Sequence, residues 1–294
     1  MANDAAAYLT IASDRLTASI NPFGAELSSL RDTADREYMT NADPAFWTGR
    51  APLLFPIVGQ LNGDIFRLDG RAFTMLKHGF ARKSEFSVIR HDVNRATFRL
   101  TDSEQTRAQY PFAFELDADF ALDGMTLAMT VTVRNPGDRP LPASFGYHPA
   151  FAWPLPGSER ADHLVVFERL EPEALSKLSK DGVIEPEPRP TPVEGAHLPV
   201  TDALFVDDAL IWKALNSRRL TYGAPGGPKL HIEFPDTPSL GIWTKPGAHY
   251  LCIEPWAGYA DPQGFSGDFR EKPGIMEIES GNSVDFRMTV TVRP

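Results

Sequence analysis

The chain has 294 residues, of which 42% are hydrophobic and 11% aromatic, enough to close a sizeable core without disulfide bonds or structural metals. This composition excludes a disordered or collagen-like chain. The 29 basic and 39 acidic residues give a formal net charge of -10 with no basic run, which argues against a nucleic-acid partner.

The N-terminus and the single cysteine bear on the compartment. Residues 1–5 lack the basic flank and apolar core of a signal peptide, and no apolar run reaches transmembrane length. Cys252 lies in an apolar segment, which predicts a buried, unreactive thiol and folding in a reducing compartment. We therefore expect a soluble, cytoplasmic protein that does not bind membranes.

Short stretches of alternating apolar and polar residues predict β-strands along much of the chain. In chain order, the clearest span residues 8–12, 16–20, 65–68, 71–74, 112–122, 125–133 and 284–292. Asp69-Gly70 and Asp123-Gly124 each separate two of these strands, and glycine readily adopts the positive φ angle of a tight turn. The sequence therefore predicts two β-hairpins.

Helical signals are sparse. Residues 171–179 predict one short helix, and residues 43–47 predict a single turn after an aspartate cap. The proline-rich stretches 181–199 and 222–228 are expected to be surface loops of one domain, because the segments on either side are alike in composition. Many short strands separated by turn signals predict an all-β sandwich.

Two segments combine a titratable group with aromatic residues and proline. His148, in residues 145–153, suits proton donation near neutrality; a structural histidine bonded to a backbone carbonyl is the alternative. Glu254, in residues 251–258, ends an apolar strand whose flanks would raise its pKa, as a general base requires. The alternative for Glu254 is a side chain that caps or bridges a loop. A proline follows each residue and restrains its backbone.

Two further segments carry hydrogen-bond donors. Residues 77–82 place lysine, histidine and arginine in a glycine-containing loop, where they could bind a sugar hydroxyl or a phosphate; a solvated loop is the alternative. Upstream, Trp47 offers a stacking surface and Arg50 a bidentate donor. The scattered histidines do not form a zinc pattern, and neither a nucleophile elbow nor a phosphate-binding glycine loop occurs.

Five segments follow the order of a known family. They are residues 24–30, 47–59, 78–82, 146–151 and 252–256. Together they resemble the aldose 1-epimerase (galactose mutarotase-like) family, closest to its LacX-like subgroup, from about residue 15 to the C-terminus. The resemblance implies an all-β, single-domain β-supersandwich over residues 1–294, with mostly antiparallel strands and few short helices. It also implies a sugar groove on a concave sheet face, with neither metal nor organic cofactor.

The resemblance also implies roles for individual residues. His148 matches the family's general acid, Glu254 its general base, and His78 a supporting histidine on the ring-oxygen side of the sugar. Glu254 would take the proton of the anomeric hydroxyl while His148 protonates the ring oxygen, so that the ring opens, C1 rotates and the other anomer forms.

The resemblance implies sugar contacts as well. Asp202 matches an aspartate that binds sugar hydroxyls, with Asp207 and Asp208 as alternatives. Many relatives carry an arginine at the position of Gln60, so a substrate contact is expected to be altered there. The other residues expected to contact the sugar or to replace that arginine are Trp47, Arg50, Arg82 and Trp256, with Trp153 as a further wall.

The alternatives are a hexose-6-phosphate mutarotase, which needs a cationic pocket such as Arg50, Lys77 and Arg82 could supply, and a non-catalytic carbohydrate-binding protein of the same fold. A glycoside hydrolase is disfavoured because only one carboxylate stands out where two are normally needed. The expected substrate is a monosaccharide or sugar phosphate, and both a monomer and a homodimer stay open.

Overall fold

The computed structural model describes residues 8–293, which fold almost entirely as β-strands. The strands are β1 (Leu9–Ala12), β2 (Leu16–Asn21), β3 (Glu26–Asp32), β4 (Leu53–Leu54), β5 (Ile65–Leu68), β6 (Arg71–Thr74), β7 (Ser87–His91), β8 (Arg95–Thr101), β9 (Glu115–Asp123), β10 (Thr126–Arg134), β11 (Leu141–Ala143), β12 (Phe145–Tyr147), β13 (Ala150–Ala152), β14 (Leu164–Phe167), β15 (His197–Pro199), β16 (Leu210–Trp212), β17 (Arg219–Gly223), β18 (Lys229–Glu233), β19 (Ser239–Trp243), β20 (Tyr250–Ala257), β21 (Met276–Ile278) and β22 (Ser283–Arg293).

Two sheets organise the described residues. The larger has nine strands in the order β15-β14-β17-β18-β22-β10-β9-β8-β7. The smaller runs β16-β19-β20-β12-β4, with β13 also paired to β20. All pairings between these named strands are antiparallel. The prediction of an all-β protein of mostly antiparallel strands is confirmed.

The hairpin predicted around Asp123-Gly124 forms the centre of the larger sheet. β9 and β10 pair along their full length, with Asp123 opposite Thr126, and β22 pairs along the other side of β10. Every second residue of β9 and β10 is buried, because successive side chains of a strand point to opposite faces. The hairpin predicted around Asp69-Gly70, β5 with β6, also forms.

The helical predictions had mixed outcomes. The helix predicted over residues 171–179 is wrong, because the backbone N–H groups of Leu175 and Ser176 donate to the carbonyls of Arg189 and Ile211 instead of to a local turn. The turn after Asp43 forms and is confirmed. The sequence pattern missed α1 (Glu104–Gln109), which begins at a Ser103 cap. No helix in residues 8–293 is long and apolar enough to cross a membrane.

Strand β20 is buried on both faces, and this decides where the site lies. Leu251 and Ile253 point into the main hydrophobic core between the sheets, whereas Cys252 and Glu254 lie on the other face. Short 3₁₀ turns connect strands at Asn62–Asp64, Ala81–Lys83, Arg160–Asp162, Asp202–Phe205 and Phe269–Glu271. The face of the smaller sheet that points away from the core therefore carries polar groups that packing does not use.

Candidate active site

A cavity of about 230 Å³ opens on this outer face of the smaller sheet. The strands β16, β19 and β20 contribute residues to its floor, and the segments around residues 47, 59, 77–82, 148, 178–182, 208 and 260 form its walls. The polar and aromatic residues that line it are Trp47, Lys77, His78, Arg82, His148, Asp208, Trp243, Glu254 and Trp256. Three segments that the sequence analysis treated separately, 77–82, 145–153 and 251–258, thus meet at one cavity.

His148 and Glu254 are in direct contact in this cavity. His148 follows β12, and its Nε2 lies 3.1 Å from Oε2 of Glu254. Both residues are buried, with 8% and 2% of their surface exposed. The ring of Trp47 packs 5.0 Å from that of His148. His148 Nδ1 is buried and has no hydrogen-bond partner within residues 8–293, so the contact with Glu254 is the polar interaction that holds the imidazole.

Burial shifts the two proton affinities in opposite directions. Desolvation lowers the pKa of His148 to about 3, with the charges of Lys77 and Arg82 adding to the effect. Desolvation also raises the pKa of Glu254 well above its usual value. Each side chain therefore disfavours its charged form. The pair consequently holds a single proton over a broad pH range, and that proton can lie on either partner of the 3.1 Å contact.

His78 is the second histidine of the cavity, with its ring 5.7 Å from that of His148. Its backbone N–H donates to the carbonyl of Gly59, and the N–H of Gly59 donates to Nδ1 of His78 at 3.1 Å. Burial lowers the pKa of His78 well below its usual value, so the ring is neutral. Because Nδ1 accepts a hydrogen bond, the ring proton lies on Nε2, which is left to donate.

Trp256 forms the floor beside Glu254. Trp256 is on β20, and its indole contacts the two strands that flank β20, at Gly146 of β12 and Gly241 of β19. A Cβ atom at Gly146 would lie 2.5 Å from Cδ1 of Trp256, and one at Gly241 would lie 2.5 Å from its Cζ2. Both positions therefore need glycine for the ring to lie flat against the sheet. A flat apolar ring suits stacking against the C–H face of a sugar.

Four residues that the sequence analysis associated with the sugar lie outside the cavity. The guanidinium of Arg50 donates to the carbonyls of residues 28, 40 and 41, and the Gln60 amide donates to a carboxylate four residues later. Asp202 accepts hydrogen bonds from Arg160 at 2.8 Å and from the N–H of residue 247 at 2.9 Å. The Arg160 guanidinium also covers the ring of buried Trp153 at 3.4 Å.

Other polar and aromatic residues line the cavity instead of these four. Asp208, one of the two alternatives to Asp202, lines the cavity, and so does Arg82. Trp243 also lines it and packs edge-on to Trp47 at 5.8 Å. Trp243 was not among the residues predicted from the sequence. The alternation of β19 could have indicated it, because Trp243 lies on the same face as Gly241 and points away from the core residues Leu240 and Ile242.

One set of three potential metal ligands coincides with this site. Within residues 8–293, the side-chain ligand atoms of His148, Cys252 and Glu254 lie within 4.8 Å of one another. Burial and the neighbouring Glu254 raise the pKa of the Cys252 thiol well above its usual value, so the sulfur is held as a protonated thiol, which is a poor ligand. The donor set therefore favours proton transfer between His148 and Glu254.

The family sequence model described as aldose 1-epimerase matches residues 8–267. The chain belongs to the aldose 1-epimerase family. It is 30% identical over 281 residues to the chromosomal protein LacX of Lactococcus lactis, an alignment that covers 92% of this chain and 94% of that protein.

Two solved structures of the family are close in fold. A galactose mutarotase related enzyme from Lactobacillus acidophilus is 30% identical with a TM-score of 0.89, and the match covers 98% of both chains. A galactose mutarotase-like protein from Lactobacillus casei is 28% identical with a TM-score of 0.92, covering 98% of this chain and 100% of that one. The galactose mutarotase-like fold expected from the sequence is confirmed.

Proposed function

We propose that this member of the aldose 1-epimerase family is a mutarotase, which interconverts the α and β anomers of an aldose. The observation that carries the proposal is the 3.1 Å contact between His148 Nε2 and Glu254 Oε2 at the floor of the cavity. Anomer interconversion needs one group that removes a proton from the C1 hydroxyl and one that protonates the ring oxygen. Two buried groups that share one proton meet this need.

The reaction starts once the shared proton has moved across the 3.1 Å contact from Glu254 to His148, which leaves an imidazolium and a carboxylate. Glu254 takes the C1 hydroxyl proton while His148 gives its proton to the ring oxygen, so the C1–O5 bond breaks and the open-chain aldehyde forms. After rotation about C1–C2, His148 takes the proton back from the O5 hydroxyl as O5 attacks C1, and Glu254 protonates O1. Every proton returns to its starting group, and the pair is ready for the next turnover.

The remaining cavity residues suit the binding of a sugar ring. The proton on Nε2 of His78 can be donated to an oxygen at the ring-oxygen side. Asp208 offers an acceptor for sugar hydroxyls from the opposite wall. Trp47, Trp243 and Trp256 provide apolar surfaces, as in most sites that hold small polar ligands. The names of the two solved relatives, both of which refer to galactose mutarotase, support the same reaction.

The experiment that tests the proposal is NMR exchange spectroscopy of anomer interconversion, with the uncatalysed rate subtracted. Replacement of Glu254 by Gln or of His148 by Gln is expected to lower kcat by ~10²- to 10⁴-fold, with a small change in KM, because each side chain transfers a proton only as the reaction proceeds. Glu233→Gln and His231→Gln, on strand β18 of the larger sheet, are the matched controls and should retain full activity.

Two outcomes would contradict the proposal. Wild-type acceleration by Glu254→Gln would remove this residue as the base. If the wild-type protein binds aldoses but accelerates the interconversion of none, the chain is a carbohydrate-binding protein of this fold.

A further inference from the structure

Two cationic side chains line the cavity without a carboxylate partner among residues 8–293. Lys77 and Arg82 both line it. In the part of the chain that the structure describes, neither forms an ion pair with a carboxylate. Most arginines elsewhere in these residues do, for example Arg99 with Asp117 at 2.6 Å. A chain with a formal net charge of -10 thus leaves two cations free at its one candidate reaction centre.

The two cations are linked to each other and held in place. Arg82 Nη2 donates to the backbone carbonyl of Lys77 at 3.1 Å, which ties the guanidinium to the loop that carries Lys77. Arg82 Nε is buried and has no hydrogen-bond partner among residues 8–293. Burial lowers the pKa of Arg82, and the charge of Glu26 opposes this shift without cancelling it. One oxygen of the Glu26 carboxylate accepts hydrogen bonds from the backbone N–H groups of Arg50 and Ala51. A half-buried guanidinium with an N–H group that has no acceptor is costly unless a ligand accepts that hydrogen bond.

Both cations act on the histidines of the site. Lys77 directly precedes His78 in the chain, and after burial the charges of Lys77 and Arg82 further depress the pKa values of His78 and His148. Glu254 experiences both signs of charge, because Lys77 lowers its pKa and Asp208 raises it. Positive charge therefore reaches the proposed donor to the ring oxygen from both cations.

The chemistry of an aldohexose limits where an anionic group that binds these cations can be carried. The ring oxygen is bonded to C1 on one side and to C5, which carries the exocyclic C6, on the other. An anionic group on the oxygen of C1 would abolish the reaction, because no proton would be left to remove there. An anionic group on C6 leaves the anomeric hydroxyl free and lies next to the ring oxygen. The second arrangement is compatible with the reaction, and it places the anion beside the ring oxygen that His148 would protonate.

We propose that the preferred substrate is an aldohexose with an anionic group at C6, which Lys77 and Arg82 bind together. This inference rests on the proposed mutarotase function. The shared chemistry is a C6 anion, which a 6-phosphate or a uronic-acid carboxylate can supply. Three features support it: two cations at the cavity without carboxylate partners, the buried Arg82 Nε without a hydrogen-bond partner, and the action of both charges on His148, the proposed donor to the ring oxygen.

The test compares kcat/KM for anomer interconversion of glucose, glucose 6-phosphate, galactose 6-phosphate and glucuronate by NMR exchange. Lys77→Gln and Arg82→Gln are expected to lower kcat/KM for the preferred C6 anion by ~10- to 100-fold, mainly through KM, because each removes a charge-assisted hydrogen bond. The readout is the ratio of kcat/KM for the C6 anion to kcat/KM for glucose, which should fall in both variants. Lys77 is exposed, so its replacement leaves folding intact. Lys83→Gln, an exposed cation in the same 3₁₀ turn as Arg82 but outside this cavity, is the charge-matched control and should behave as wild type.

The outcomes separate this inference from the proposed function. A higher kcat/KM for a 6-phosphate or for glucuronate than for glucose, lost in the two cavity variants alone, supports the inference and identifies which anion is bound. Faster conversion of glucose than of any C6 anion, or an equal loss on glucose in Lys77→Gln, overturns it while the mutarotase proposal stands. No acceleration of any of the four sugars overturns both.

Discussion

Gly241→Ala is predicted to damage the site through Trp256 alone. A Cβ atom at position 241 would lie 2.5 Å from Cζ2 of Trp256, whereas two carbon atoms pack at about 3.5–4.0 Å. The strand backbone of β19 is paired on both sides, with β16 and with β20, so the indole has to give way. The open direction is toward the cavity, and the ring must move by about 1 Å.

The expected cost follows from this displacement. Overpacking by one methyl group costs about 1–3 kcal/mol in the free energy of unfolding. A displacement of about 1 Å at a substrate-binding surface can cost ~10²-fold in rate, so we expect kcat/KM to fall by ~10- to 100-fold. Most of the change should be in KM, because the floor contacts the sugar before and during ring opening alike. Gly146→Ala, which presses on Cδ1 of the same ring at 2.5 Å, should give the same pattern.

The assay is a double-mutant cycle measured by NMR exchange and urea unfolding. Gly241→Ala is made in the wild type and in Trp256→Leu, where the smaller side chain leaves room for the added methyl group. We expect the effect of Gly241→Ala on both kcat/KM and stability to shrink by most of its size in the Trp256→Leu background. An undiminished effect in that background would refute the reasoning, since the damage would then come from the backbone of β19.

Two further predictions concern charge. The free energy of unfolding of the wild type, relative to the double variant His148→Gln/Glu254→Gln, should be level between pH 4.5 and 6.5 and fall on both sides when measured by urea unfolding. Below pH 4.5 the unfolded chain binds a second proton that the buried pair does not bind, and above pH 6.5 the unfolded chain releases a proton that the pair retains. A profile that only rises or only falls with pH would contradict this prediction. Asp208→Asn should raise KM for sugars by ~10-fold without loss of stability, whereas Asp202→Asn should lower the Tm by freeing Arg160 and leave KM unchanged; the reverse result would restore Asp202 as the sugar ligand.

The strands were predictable because alternation is a local property. β9, β10 and β22 alternate apolar and polar residues so regularly that their positions and buried faces follow from the sequence alone. The 171–179 segment misled because its composition suits a helix, while distant backbone partners at Arg189 and Ile211 decide its structure. Such partners leave no trace in a local pattern.

The site residues were predictable where the residues next to them in sequence also form their surroundings in the fold. His148 directly follows β12 and Glu254 lies within β20, each next to a proline and close in sequence to aromatic residues, and the structure brings them into contact. Asp202 could not be told from Asp208 by sequence, because the choice depends on Arg160, which reaches Asp202 from 42 positions away. Arg50 likewise looked available until the fold surrounded it with three backbone carbonyls.

Strand β20 serves the hydrophobic core with one face and the reaction with the other, through Ile253 and Glu254 in turn. A substitution that reshapes the floor of the cavity therefore also disturbs the packing between the two sheets. The wall side chains Lys77 and Asp208 are exposed and take no part in the core, although Phe80 and Ala81 of the same 77–82 segment do. A change of sugar specificity is therefore expected to cost less stability at exposed wall residues than at the floor, where a substitution also disturbs the core.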